Sequence, residues 1–261
     1  METAAERLQF FQNCLQEQEF LSVVEACKRG DASPATIRRD FAQLVAQGVA
    51  ERHRGGVRRS RRDALAMVPF AVREMRMARE KSAIAAAAAK LVAPGDVVFV
   101  DGGTSTLHLA EHLGQVPVRV ITNSLRLAVA LGERTFEQPV ELHLSGGYLL
   151  PRSGLLVGPQ AREGIARYHA HWAFLSVGGI GADGVWNTDE LVAEIEQAMI
   201  NHASRVVVLA DHTKLGARAL LHVAPLARVH LVLTDASGPA VDELRAAGCT
   251  VQTVTVANEE A

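Results

Sequence analysis

Apolar residues recur at helical spacing near the amino end of the chain and in short unbroken runs beyond it. Leu8, Phe11 and Leu15 fall on one face of a first helix, and residues 21–29 suit a second short helix ending at a turn over Gly30 and Asp31. A third helix is bounded more sharply. Ser33 is a good N-cap residue because its hydroxyl can accept from the first free amides, and Pro34 suits the first helical position, where an N–H has no partner anyway. Ile37, Phe41, Leu44 and Val45 make one apolar stripe, and Gly48 stands where this helix should stop. Val49–Val57 then reads as a two-stranded hairpin with its turn at Gly55 and Gly56.

From about residue 70 the texture changes. An alanine-rich helix through Ala85–Ala89 ends before Pro94 and Gly95. Buried-strand patterns follow at Val97–Val100, Val118–Ile121, Val140–Leu144, Ala173–Val177, Val206–Leu209, Leu231–Leu233 and Val251–Val256, with helical patterns in most of the intervals. Strands alternating with helices predict an α/β domain built on a mostly parallel sheet covered on both faces. The expected organisation is a small helical module with a hairpin over residues 1–58, a basic linker over 59–70 and the α/β domain over 71–261.

Charge sharpens the division. The whole chain carries a net charge of −2, yet residues 33–62 hold eight basic side chains against two acidic ones. Basic charge concentrated in one module of a slightly acidic protein is the footprint of a phosphate contact. On the third helix Arg39 points almost opposite the apolar stripe, flanked by the small Ala35 and Thr36, with Arg38 nearer the boundary. Small residues let a backbone approach base edges, and Arg39 can then reach a guanine or a phosphate. The hairpin adds Arg52, His53, Arg54, Gly55 and Gly56. Double-stranded DNA is the expected partner. Nine residues of surface helix with two solvated arginines would look alike in isolation; the flanking hairpin and charge favour the groove-reading interpretation.

Cys14, Cys27 and Cys249 are scattered, without a CxxC pair, which points to a reducing cytosol rather than a disulfide frame or a zinc knuckle. The start has no apolar signal core and no uncharged apolar run approaches bilayer length, so a cytoplasmic protein without a membrane partner is expected.

In the α/β region the polar signals sit after strands, where open parallel sheets bind ligands. Asp101, Gly102, Gly103, Thr104, Ser105 and Thr106 follow the first strand and lead into a helix through Leu107, Ala110 and Leu113. Glycines allow close backbone approach, and hydroxyls beside free helix amides can hold an anion such as a phosphate. A capped turn with Thr104 as N-cap is the plainer alternative. The loop has no lysine and is not a nucleotide P-loop. Other strands are followed by Asn123, by Gly146 and Gly147, by Gly178 and Gly179, and by Lys214, whose ammonium could neutralise a phosphate or carboxylate. Two motif matches are set aside. His108–His112 fits a zinc-hydrolase HxxEH pattern but lies in the helix after the Asp101 loop, and Gly179–Gly184 fits GxGxxG but does not open a helix. His169 and His171 read as surface residues. No metal and no cofactor are expected.

Together these segments resemble the DeoR family of bacterial transcription regulators. The resemblance spans roughly residues 5–235 and rests on TIRRDF (Thr36–Phe41), RHRGGV (Arg52–Val57), REKSAIA (Arg79–Ala85), DGGTST (Asp101–Thr106), VITNS (Val120–Ser124), LSGG (Leu144–Gly147) and LADHTK (Leu209–Lys214), in the family's order. It implies a winged helix-turn-helix followed by a Rossmann-like sensor domain similar to ribose-5-phosphate isomerases and coenzyme A transferases, which binds a phosphorylated sugar or related metabolite and alters the hold on an operator. By this resemblance Ser33 through Asp40 and Arg52 through Gly56 correspond to the DNA-reading parts. The effector loops correspond to Asp101 through Thr106, Asn123, Gly146, Gly147, Gly178, Gly179 and Lys214. The chain departs from the pattern in places. Ala26 and Gly30 stand where larger apolar residues are usual, implying a second helix that packs loosely or takes another path, and Glu196 stands at an often basic position; Glu194 is added as a candidate from that helix. The expected function is a repressor of a carbohydrate-utilisation operon acting as a homodimer or homotetramer, since two related recognition helices read two half-sites. A sugar-phosphate isomerase with an appended DNA-binding module, needing a carboxylate base such as Asp101 or Asp183, is the competing reading; an adaptor acting through protein partners is a third.

Overall fold

The computed structural model describes residues 4–18, 20–46, 50–59 and 69–256, and divides into two compact units, Met1–Val72 and Arg73–Ala261. Gly48, Val49 and residues 60–68 of the expected linker lie outside the described residues.

The first unit contains helix α1 (Ala4–Glu17), strand β1 (Phe20–Ser22), helices α2 (Val23–Gly30) and α3 (Pro34–Ala46), and strands β2 (Ala50–His53) and β3 (Gly56–Arg59). The apolar stripe of α3 is buried as its spacing predicts: Ile37 and Leu44 are fully enclosed, and Phe41 meets Phe11 of α1 edge to face at 5.8 Å. Asp40 faces inward as well and receives a 2.6 Å hydrogen bond from Arg7 Nε, an ion pair that fastens α1 to α3.

Four expectations need correcting here. Residues 20–22 are not helical; they pair with β3, so the hairpin is one part of a three-stranded sheet in the order β1-β3-β2. The second helix begins only after Ser22, whose hydroxyl caps it by accepting from the Glu25 amide at 3.1 Å. The helix also runs through Gly30, and the left-handed residue that ends it is Asp31 (φ 46°). The hairpin turn is Arg54 and Gly55, because His53 and Gly56 already pair; Gly55 takes φ 83°. Nor is α2 loosely packed. Ala26 is fully buried, and a Cβ on Gly30 would lie 2.7 Å from Phe11 Cζ, so the small residues make room for the aromatic ring.

In the second unit the chain runs on from α4 (Phe70–Met75), which spans the division between units, through α5 (Ala78–Ala89), β4 (Asp96–Val100), α6 (Thr104–Leu107), β5 (Val118–Thr122), α7 (Leu125–Gly132) and β6 (Val140–Leu144). It continues through β7 (Tyr148–Leu150), β8 (Leu155–Val157), α8 (Pro159–Ala166), β9 (Ala170–Ser176), β10 (Gly179–Gly181), β11 (Gly184–Asn187) and α9 (Glu190–Asn201). The last elements are β12 (Ala203–Leu209), β13 (Leu221–Ala224), β14 (Leu231–Thr234), α10 (Pro239–Ala246) and β15 (Val251–Thr253). The seven predicted strand runs form one parallel sheet, in the order β15-β14-β12-β9-β4-β5-β6. Their apolar residues alternate between two cores. Val98 and Val100 face α5 and α7, whereas Phe99 faces the side of α8, α9 and α10; Val207 and Leu209 share the first core and Val206 and Val208 the second. A strand buried on both faces has no need of polar alternation.

The helix expected from Thr104 through Leu113 is shorter than predicted: α6 covers four residues and continues as a 3-10 turn over His108–Glu111. The Gly179–Gly184 stretch forms the turn of the hairpin β10–β11 and leads into a strand, not into a helix.

Among the described glycines of the first unit the tightest constraint is at Gly56, where a Cβ would stand 2.2 Å from the Leu21 carbonyl oxygen. Gly56→Ala is expected to push β3 away from β1 and destabilise this unit by about 1–3 kcal/mol, the usual range for overpacking. The check is a lowered unfolding temperature together with earlier proteolytic cleavage in residues 20–59.

Candidate functional site

Of the amino-terminal candidates, Arg38, Arg52, His53, Gly55 and Gly56 line one groove. Ser33 caps α3 through a 3.3 Å bond from the Thr36 amide, and its hydroxyl also meets the Thr36 hydroxyl at 3.0 Å. Ala35, Arg38 and Arg39 are exposed along the same helix, as are Arg52, His53, Arg54 and Gly55 on the hairpin, with Gly56 half-buried. Arg38 and Arg39 make no ion pair among the described residues, nor do Arg52 and Arg54. Arg38, Ala42, Arg52 and His53 line a cleft of about 830 Å³ between α2, α3 and the hairpin. Arg39 stands outside that cleft, on the outer face of α3. His53 is steadied by Phe20, its ring 5.3 Å away. Arginines free of partners, held on a rigid helix and a tethered hairpin, form a surface ready for phosphates and base edges.

In the second unit the sheet reverses direction of growth between β4 and β9. From β4 the chain adds β5 and β6 on one side, then crosses back to place β9 on the other. The carboxyl ends of strands at such a switch point diverge and leave a crevice. Asp101 is the first residue beyond β4. Its amide donates to the Phe174 carbonyl at 3.0 Å, and its Oδ2 accepts from the Ser176 amide at 3.2 Å, which ties the loop to the end of β9. Gly102 and Gly103 are required by neighbouring side chains: a Cβ would fall 1.9 Å from Leu155 Cδ2 in the first case and 2.1 Å from Ser176 Cβ in the second. Gly103 is the cap residue of α6, so Thr104 opens the helix rather than capping it. Thr104, Ser105 and Thr106 are buried; the Thr106 hydroxyl donates to the Gly103 carbonyl at 3.0 Å, while those of Thr104 and Ser105 have no partner among the described residues. With only four residues, α6 contributes little dipole, so hydroxyls and side-chain cations must supply the attraction for an anion.

Those cations converge from distant parts of the chain. Lys214 follows β12 in a 3-10 turn capped by Asp211. Burial lowers its pKa, Arg73 and Arg76 lower it further, and Asp211 opposes them; its ammonium has no hydrogen bond among the described residues. Lys81, buried on α5, donates to the Arg73 carbonyl, and burial brings its pKa down to about 8 against the pull of Asp211. Lys214, Arg73 and Arg76 all act on Lys81. The four thus form one cationic group.

The remaining candidates divide. Asn123, fully buried after β5, donates from Nδ2 to the Leu156 carbonyl at 3.2 Å and leaves Oδ1 unpartnered. Gly178 and Gly179 follow β9; the Gly178 amide donates to Trp186 at 2.8 Å, and a Cβ on Gly179 would stand 2.1 Å from the Ala217 carbonyl. Gly146 and Gly147 lie at the sheet edge after β6, both with positive φ (74° and 105°). Glu194 is corrected: it lines a cleft with Arg162 and His202 between α8 and α9, and the α9 carboxylate that senses Asp101 is Glu196. His108 and His112 both contact Glu111, at 2.9 and 3.8 Å. His169 and His171 are exposed.

The family described as DeoR C terminal sensor domain matches residues 76–236, and the DeoR-like helix-turn-helix domain matches residues 7–62. The chain belongs to the DeoR family. It is 34% identical over 227 residues to the HTH-type transcriptional repressor CsqR of Escherichia coli K12, covering 86% of this chain and 85% of that protein. It is 30% identical over 251 residues to the HTH-type transcriptional regulator UlaR of Salmonella arizonae, covering 95% and 98%. Among solved structures it is similar to ribose 5-phosphate isomerase A from Methanocaldococcus jannaschii, with a TM-score of 0.36 and 18% identity over 51% of this chain and 52% of that one. It is similar also to the translation initiation factor eIF-2B from Pyrococcus horikoshii, with a TM-score of 0.42 and 19% identity over 60% and 62%.

As a DeoR-family transcription regulator the protein has a DNA-binding helix-turn-helix and a sensor domain, and the isomerase reading falls away. No helix among the described residues is long and apolar enough to cross a membrane. Sequence reasoning missed Lys81, Arg73, Ser176 and Asn187 around the DeoR sensor loop. Lys81 lay inside a quoted motif, but a lysine four residues into an alanine-rich helix carries no sign of its burial.

Burial raises the Asp101 carboxyl from 3.8 to about 6, against the Gly102, Gly103 and Ser176 amides and Arg73, which favour its ionised form. The native state then holds a proton that the unfolded chain has released, so stability falls as pH rises through this window. Asp101→Asn is expected to flatten that slope: between pH 4 and 6 the unliganded parent loses more thermal stability than the variant, measured by calorimetry across the range.

Proposed function

We propose that the protein represses a carbohydrate-utilisation operon, binding its operator through α3 and the wing, and that a phosphorylated sugar or related metabolite alters this binding from the crevice beside Asp101. The observation that carries the sensor half is Lys214: a half-buried ammonium just beyond β12, without a hydrogen-bond partner among the described residues and under the influence of Arg73 and Arg76, which act on Lys81 as well. A phosphate would neutralise this group, with the Thr104 and Ser105 hydroxyls available as further donors. The DNA half is supported by Arg38, Arg39, Arg52 and Arg54, exposed and free of ion pairs among the described residues. The names of the relatives, a repressor and a regulator, favour repression. The active form is a homodimer or homotetramer in the cytoplasm, since paired recognition helices match paired half-sites.

Response to the metabolite is a population shift. DNA selects one conformation and the effector another, and the effector acts only by the difference in its affinity for the two. A tenfold change in operator affinity requires about 1.4 kcal/mol of such difference.

Arg39→Ala is expected to weaken operator binding by about 1–3 kcal/mol, measured by fluorescence anisotropy at fixed salt. Lys214→Ala and Asp101→Ala retain operator affinity and lose the response to effector. A thermal-shift screen of sugar phosphates identifies ligands, because a compound bound only to the native state raises the melting temperature. Normal ligand responses in both sensor variants would sink the site assignment.

A further inference from the structure

Two buried carboxyl groups stand beside the sensor loop without a full set of partners. Glu196, 1% exposed, accepts a 2.6 Å bond at Oε1 from Asn187 Nδ2, while its Oε2 has no hydrogen-bond partner among the described residues. Asp101, 2% exposed, uses Oδ2 on the Ser176 amide, and its Oδ1 is likewise unpartnered. The two groups feel each other. Burial raises Glu196 well above the usual carboxylate range, Asp101 and Asp189 add to the effect, the Asn187 bond opposes it, and Glu196 makes no ion pair among the described residues. The charge of Arg73 favours the ionised form of Asp101. At the next strand end, Asn123 Oδ1 is a third buried acceptor lacking a donor, and its orientation is set by the bond from Nδ2 to Leu156.

Unmade hydrogen bonds of buried acceptors are costly, and a buried carboxylate without a counter-charge is costlier still. The group that answers both deficits carries several donors and a positive charge. A primary ammonium has three N–H donors and no acceptor. A hydroxyl brings one donor and no charge, and a phosphate would be repelled. The cationic group of Lys214, Lys81, Arg73 and Arg76 offers the opposite chemistry within the same unit.

We propose that the effector is an amino sugar phosphate, its ammonium seated against Asp101 and Glu196 and its phosphate against Lys214 and Lys81. The proposal rests on the sugar-phosphate reading given above and adds the amine. Glu196 is then a specificity-determining residue, selecting a charged nitrogen over a hydroxyl.

The test uses the full chain and matched pairs of 2-amino and 2-hydroxy hexose 6-phosphates of gluco, galacto and manno configuration, with the N-acetylated sugars as uncharged controls. Isothermal calorimetry at one pH and ionic strength is expected to show an amino compound binding at least tenfold tighter than its hydroxy and N-acetyl counterparts. Glu196→Gln, which keeps the shape and the acceptor for Asn187, is expected to erase most of that preference, so that the ratio of the amino to the hydroxy affinity falls below threefold. Equal or weaker binding of every amino compound by the parent overturns the amine assignment and leaves the sugar-phosphate reading standing. A preference unchanged in Glu196→Gln overturns the role of Glu196. Failure of all the hexose phosphates to bind overturns both readings together.

Discussion

The bond from the Ser176 amide to Asp101 closes the sheet at the point where its strand order reverses. It joins residues 75 positions apart and holds the loop after β4 against the end of β9. The loop must run close to its neighbours for that bond to form. Gly102 passes Leu155 and Gly103 passes Ser176 so closely that a Cβ on either would force its neighbour to shift. The carboxylate is held there at a penalty, since burial opposes its charge. A fold does not need a charged group in its interior, and hydrophobic replacements are frequently as stable. The proposed function gives this one a use, with its second oxygen turned to the effector.

The sensor domain shows why a parallel sheet reads clearly from sequence. Its central strands are enclosed on both faces, so the chain displays unbroken apolar runs such as Val97–Val100 and Val206–Leu209, whereas the edge strands β6 and β15 are partly exposed. The small antiparallel pieces were not legible. Tyr148 and Leu149 of β7 are exposed, and β10 is two glycines around Ile180. Strand β1 was hidden for another reason: Phe20–Ser22 has no pattern of its own and becomes a strand only by pairing with β3. The third helix was legible to the residue at its start, because capping by Ser33 and Pro34 is a local matter.

The site follows the same rule. Asp101 and Lys214 announce themselves as polar residues after apolar strands, a signal carried within a few positions. Lys81, Glu196 and Asn187 have their meaning only through contacts across the fold, so neither helical nor strand periodicity distinguishes them. Glu194 and Glu196 differ by two positions, yet at about 100° per residue they face nearly opposite ways. One opens to the cleft beside α8 and the other turns inward.

Lys81 has a second engagement besides its neighbours in charge: it donates to the carbonyl of Arg73, in the last turn of α4. The final carbonyls of a helix lack internal partners, and a cation placed on them steadies that end. Residue 72 closes the first unit, so α4 is the stretch of backbone through which the chain passes from one unit to the next. Were that bond lost, the Arg73 carbonyl would keep no cation against it, so the order of the last turn of α4 depends on a side chain carried by the following helix.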